Sequence, residues 1–159
     1  MKNWIKSGMA ALGVAVLLSG CGGPRYKDVA NSVPVMAPDA GRIYFYQPPA
    51  PAGVVSNQPY LRVNGVKVGR SKPGSFFYVN RPAGNYEVDT LRDGEALSFT
   101  LAPGQTRYVR VSIEGVSGNS SSVGRQEMRL EESEAAARQE MEPLRYWGAG
   151  SRERVKLSP

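Results

Sequence analysis

Apolar and polar positions begin to alternate at residue 41. In Gly41-Arg42-Ile43-Tyr44-Phe45-Tyr46, Ile43 and Phe45 point to one side and Arg42, Tyr44 and Tyr46 to the other, a period of two that predicts a strand. Residues 47–59 hold Pro48, Pro49, Pro51, Gly53 and Pro59 and read as a loop. In Tyr60-Leu61-Arg62-Val63-Asn64-Gly65-Val66-Lys67-Val68 the Asn-Gly pair supplies the two positive-φ positions of a type I′ turn. A two-residue loop sets Val63 against Val66, Arg62 against Lys67 and Leu61 against Val68, so the four aliphatic side chains share a face.

A second hairpin is predicted over residues 86–101 with Asp93-Gly94 at its turn, pairing Arg92 with Glu95, Thr90 with Leu97, Val88 with Phe99 and Tyr86 with Leu101. Between the hairpins, residues 75–79 form a strand. The run Arg81-Pro82-Ala83-Gly84-Asn85 has its Pro and Gly spaced for a type II turn, and Pro103-Gly104 repeats the device. Residues 106–113 alternate again, 114–124 are a Gly- and Ser-rich loop, and 125–130 add an edge strand. Ser133 can cap a helix that starts at Glu134 and stops at Pro143, with Ala137, Met141 and Leu144 on one side. The fold expected is all-β: a small antiparallel β-sandwich of about seven strands over residues 41–147, with one short C-terminal helix. Residues 148–159 are expected to be a disordered tail.

The N-terminal segment has a different pattern. Lys2 and Lys6 precede an apolar run over residues 9–18, the order of a secretory signal. A helix through residues 7–20 would rise only about 21 Å at about 1.5 Å per residue, against about 30 Å for a bilayer core. Residues 22–40 lack any sustained period and contain Pro24, Pro34 and Pro38. They read as a flexible tether with a root-mean-square span of about 24 Å.

Composition narrows the chemistry. Among 159 residues there is no His and one Cys, which excludes a Ser-His-Asp triad, an HExxH zinc site, an intrachain disulfide and a CxxC site. No cofactor or metal site is expected. Loss of Lys2 and Lys6 with a leader would lower the formal net charge from +6 to +4. No basic run with interleaved aromatics points to nucleic acid.

Leu18-Ser19-Gly20-Cys21 resembles the bacterial lipobox: an apolar residue, two small residues and the cysteine that takes lipid. The resemblance implies a signal peptide over residues 1–20, cleavage between Gly20 and Cys21, and acyl chains, palmitate among them, on Cys21. Two or three such chains anchor stably where one does not. Gly rather than Asp at position 22 implies the outer membrane, on its periplasmic side. Further along, the runs 41–46, 61–69, 74–88 and 97–111 and the Glu-rich helix resemble the lipoprotein-associated family called domain of unknown function 2846, over about two-thirds of the chain. The central part is also similar to PEGA-type and carboxypeptidase-regulatory sandwich modules, which are not catalytic. Each matching motif is a turn or strand marker, so the likeness implies architecture and no functional residue beyond Cys21.

Asp89, Asp93 and Glu95 lie near one turn, but Arg92 is a local partner for Glu95 and Asp93 is a turn residue. No enzyme is expected. Tyr44, Tyr46 and Tyr108, with Arg42 and Arg110, fall opposite the aliphatic residues of their strands and are the expected binding surface, since exposed aromatics stack on sugars or anchor proteins. The function expected is a membrane-anchored, noncatalytic lipoprotein facing the periplasm that binds or supports an envelope protein or wall polymer. The alternatives are a glycan- or peptidoglycan-binding module and an accessory lipoprotein of a secretion machine.

Overall fold

A computed structural model describes residues 23–52, 58–90, 96–114 and 125–148. Cys21, Gly20, the leader and the tail beyond Gly148 lie outside the described residues, as does the Asp93-Gly94 turn with Arg92 and Glu95.

Two sheets make the fold. The first contains β1 (Ala40–Gln47), β4 (Ser75–Pro82), β7 (Thr106–Glu114), β8 (Arg125–Glu131) and β9 (Arg145–Tyr146), in the order β8-β7-β1-β4-β9. The second contains β2 (Tyr60–Val63), β3 (Val66–Arg70), β5 (Gly84–Thr90) and β6 (Leu97–Leu101), in the order β3-β2-β5-β6. Period-two alternation carries Ile43, Phe45, Phe77, Val79, Val109 and Val111 inward from the first sheet. Leu61, Val63, Val68, Val88, Phe99 and Leu101 meet them from the second. Each such side chain, once buried, contributes about 1.5–3 kcal/mol.

The sandwich expected from the sequence is present, with nine described strands rather than about seven. Its pairing is mixed, not wholly antiparallel: β1 runs parallel to β7, and β4 parallel to β9. The cause lies in the connections. The chain leaves the first sheet after β1 and again after β4 to build the second, and a strand that returns after such a crossing is free to pair in parallel. Strand β9 is two residues long, too short for any periodicity to reveal.

Turn chemistry holds at Asn64 and Gly65, whose φ values are 49° and 78°. Val63 opposes Val66 and Arg62 opposes Lys67 as expected, but a bulge between Leu61 and Arg62 puts Leu61 opposite Gly69 instead of Val68. Val66 is 62% exposed because β3 is an edge strand. In the second hairpin Tyr86 faces Phe99 and Val88 faces Leu97, a slip of two residues from the expected register. An even slip keeps every side chain on its face, so the hydrophobic pattern could not detect it. Gly84 is not at positive φ: Ala83 carries the chain from one sheet to the other, so the expected type II turn is replaced by a crossing. Gly104, at φ 72°, does adopt the conformation expected of the Pro-Gly pair.

A third layer covers the outer face of the first sheet. Helix α2 (Glu134–Met141) is capped by Ser133, whose Oγ accepts from the Ala136 amide at 3.2 Å. It buries Ala137 and Met141, with Leu144 just beyond, against Tyr44, Tyr46, Phe76 and Tyr108. Beside it lies the short helix α1 (Tyr26–Val29), followed by a 3-10 turn over Ala30–Ser32. The expected tether is therefore structured from residue 23. Arg25 bridges to Arg145, the Tyr26 amide donates to the Leu144 carbonyl at 2.9 Å, and Tyr26 is buried. Prolines stop this segment from joining the ladder but not from packing, because an aromatic side chain needs only a matching surface.

Candidate functional site

The expected Tyr and Arg surface is present as a set of neighbours but not as a surface. Tyr44, Tyr46, Tyr108 and Arg42 are buried, so the expectation of open aromatics is overturned. Tyr44 stacks on Tyr108 with centroids 5.5 Å apart, and Tyr26 meets Tyr44 and Phe76 edge-on at 6.0 and 5.2 Å. Arg42 donates from Nε to Asn80 Oδ1 at 2.9 Å and from Nη2 to the Pro34 carbonyl at 2.5 Å, over the ring of Tyr78. Arg110 donates to Glu140 Oε2 at 2.8 Å. Tyr108 Oη donates to Glu134 at 3.3 Å and accepts from Arg138 at 3.4 Å.

Burial dominates the titration of this layer. It raises the hydroxyl of Tyr108 to about 12, and raises those of Tyr26, Tyr44 and Tyr46. Desolvation also pushes the Glu140 carboxyl up. The bond from Arg110 and the nearby Tyr46 hydroxyl outweigh it, so the group stays below its ordinary value. The Tyr46 hydroxyl itself is buried without a partner at hydrogen-bonding geometry, although Glu140 is close enough to act on it electrostatically. These groups hold α2 and the N-terminal segment to the sheet: phenols kept protonated and cations already bonded within the chain are poor nucleophiles and poor ligand hooks.

The opposite structural feature, polar groups without partners, gathers where β1 ends. Gln47, Ser71 and Ser75 are buried there. Ser71 Oγ donates to Gln47 Oε1, Ser75 Oγ donates to the Lys72 carbonyl at 2.6 Å, and the Gln47 Nε2 and Arg70 Nε donors find no partner among the described residues. Gln47, Arg70, Ser71, Lys72 and Ser75 line one tight crevice with Leu61 and Phe77. Trp147 lies nearby with Lys72 Nζ 3.6 Å from its ring, and Arg70 and Lys67 sit over the ring of Tyr60 at 4.4 and 4.7 Å. Among the described residues no group of three or more acidic, His or Cys side chains is placed to hold a metal. Asp89, one of the three carboxylates considered from sequence, is bound to Arg62 at 2.5 Å.

The family described as "Protein of unknown function (DUF2846)" matches residues 37–125, more than half of the chain. The chain belongs to the DUF2846 family. No curated protein and no solved structure matches it. The family's match spans β1 to the start of β8 and leaves out α2, β9 and the N-terminal segment, so the whole third layer lies outside it.

Sequence reasoning missed Tyr26, Gln47, Arg70 and Trp147. One signal was available for the covered layer. Residues 43–46 and 76–79 are apolar or aromatic at every position, and a strand buried on both faces reads as a continuous run rather than an alternation. Nothing local marked Gln47 or Arg70, whose placement depends on β3 meeting the end of β1 across the sandwich.

Proposed function

We propose that this DUF2846 protein is a lipid-anchored, noncatalytic module of the bacterial envelope, held by Cys21 in the outer membrane and facing the periplasm, where it binds or supports another envelope component. The observation that carries the reading is how near the lipobox cysteine the chain is already packed. Gly23, two residues after the lipobox cysteine, already sits against Tyr146, and Arg145 donates to the Gly23 carbonyl at 3.2 Å. The packed chain thus reaches to within two residues of the cysteine that processing would expose. No helix among the described residues is long and apolar enough to cross a membrane.

The glycan-binding alternative relied on exposed Tyr44, Tyr46 and Tyr108, and their burial removes its support. A protein partner fits the exposed residues better, Val35 and Val66 being the large apolar side chains left open among the described residues, at 97% and 62%. Expression of the full chain in a diderm bacterium tests the anchor. Cys21→Ser should abolish palmitate labelling, leave unprocessed precursor and change membrane partition. Unchanged mobility and partition in that variant would remove the proposal. Photo-crosslinkers at Val35 and Val66 should then recover a discrete envelope protein, including a component of a secretion machine if that is the partner.

A further inference from the structure

Among the described arginines and lysines two groups stand out, with Lys27, Arg42 and Arg81 in neither. Five ion pairs are formed, by Arg62, Arg107, Arg110, Arg129 and Arg138. Arg25, Lys67, Arg70, Lys72 and Arg145 form none with any described residue, and they lie side by side. Arg25 bridges to Arg145, and the Arg145 amide donates to Gly74 in the turn that also holds Lys72. Lys72 and Arg70 line the same crevice, and Arg70 shares the ring of Tyr60 with Lys67. The row follows one edge of the sandwich, from Arg25 across to β3. Asp28 and Glu142, both exposed, lie at its α1 end, where the Asp28 amide donates to the Arg25 carbonyl and the Lys27 amide to that of Glu142.

Like charges set side by side repel, and an edge of this kind is stabilised by an external anion. Distance to the anchor selects which one. Two residues span at most about 7 Å and four about 14 Å, so Gly23 and Arg25 lie within those limits of Cys21 whatever the path between them. Electrostatic attraction to an anionic leaflet extends about 8 Å at physiological ionic strength. A flexible tether spanning about 24 Å would have left the edge outside that range. Trp147 with Lys72 over its ring adds an aromatic and a cation together, the combination favoured at a headgroup interface.

We propose that this basic edge rests on anionic phospholipid headgroups of the leaflet that carries the anchor, so that the sandwich stands on the membrane in one orientation. This rests on the lipid-anchor reading, and the two are tested separately. Residues 21–159 with Cys21→Ser, which retain every described residue, are mixed with vesicles of phosphatidylethanolamine and phosphatidylglycerol, or of phosphatidylethanolamine and phosphatidylcholine. The unlipidated chain should sediment with the phosphatidylglycerol vesicles, less so as salt rises, and not with the neutral ones.

Arg25→Gln, Lys72→Gln and Arg145→Gln should each weaken binding about fivefold, and the triple variant on the order of a hundredfold. Arg107→Gln with Arg129→Gln, on β7 and β8 away from this edge, should leave binding within about twofold of the parent. If the triple variant lacks a cooperative melting transition, the exposed Lys67→Gln takes its place. Equal binding to both vesicle types, or equal loss from the far-side variant, overturns the orientation while leaving acylation of Cys21 to the labelling experiment.

Discussion

Gly69 shows how much one hydrogen decides. It lies opposite Leu61 where the bulge falls, and a Cβ there would stand 2.6 Å from Phe77 Cζ and 2.7 Å from Cε2. Phe77 is buried and stacks on Phe45 with centroids 5.0 Å apart, so its ring has nowhere to move. Gly69→Ala should therefore lower stability by about 1–3 kcal/mol, the range for overpacking a close-fitted core. Urea denaturation measures it, and a loss below about 0.5 kcal/mol would show that the ring gives way. The residue's spacing in the chain reads only as a strand position; the need for glycine comes from a ring eight residues away on the other sheet.

At the scale of elements, α2 turns a half-buried sheet into a fully covered one. Its contact with the sheet is apolar through Ala137 and Met141 and ionic through Glu140 and Arg110, whose side chains are 37% and 21% exposed. Because Glu140 titrates below its unfolded value of 4.5, its contribution is fully present above that value. It is lost as pH falls through the folded one. Partial exposure screens the pair, so Glu140→Gln should cost about 0.5–1 kcal/mol at neutral pH. The difference from the parent should shrink toward zero in acid; denaturant titrations at several pH values would expose a gap that stays constant, which this account does not allow. The helix was legible in advance from Ser133, Pro143 and the spacing of Ala137, Met141 and Leu144. Its destination was not, because an amphipathic stripe records that one side is buried and not against what.

Over the whole molecule, the segment before β1 links anchor to fold. Tyr26 holds it down by edge-on contacts with Tyr44 and Phe76. Removing a buried aromatic ring costs about 3–5 kcal/mol when the surroundings cannot collapse. Tyr26→Ala should lose about 3 kcal/mol and speed proteolytic cleavage within residues 27–39 relative to the sandwich. Unchanged cleavage there would mean that the segment is held by its backbone bonds alone. The same release would let the anchor extend toward the roughly 24 Å of a free chain, beyond electrostatic reach of the basic edge, so weakened orientation should accompany it.

Much was determined by the sequence alone: the all-β class, the turn at Asn64-Gly65, the inward faces of β1, β2 and β7, the capped helix, and the exclusion of His-based chemistry and of an intrachain disulfide. These depend on local φ preferences and on a period of two, which neighbours along the chain suffice to set. The tertiary structure decided what the outward faces meet. Tyr44, Tyr46 and Tyr108 are covered because α2 and the N-terminal segment return to the same sheet, and Arg25, Arg145, Lys72 and Arg70 form one edge because three separate stretches meet there. Periodicity distinguishes two faces of a strand, but whether the second meets water, a helix or a membrane depends on contacts between residues far apart in the chain.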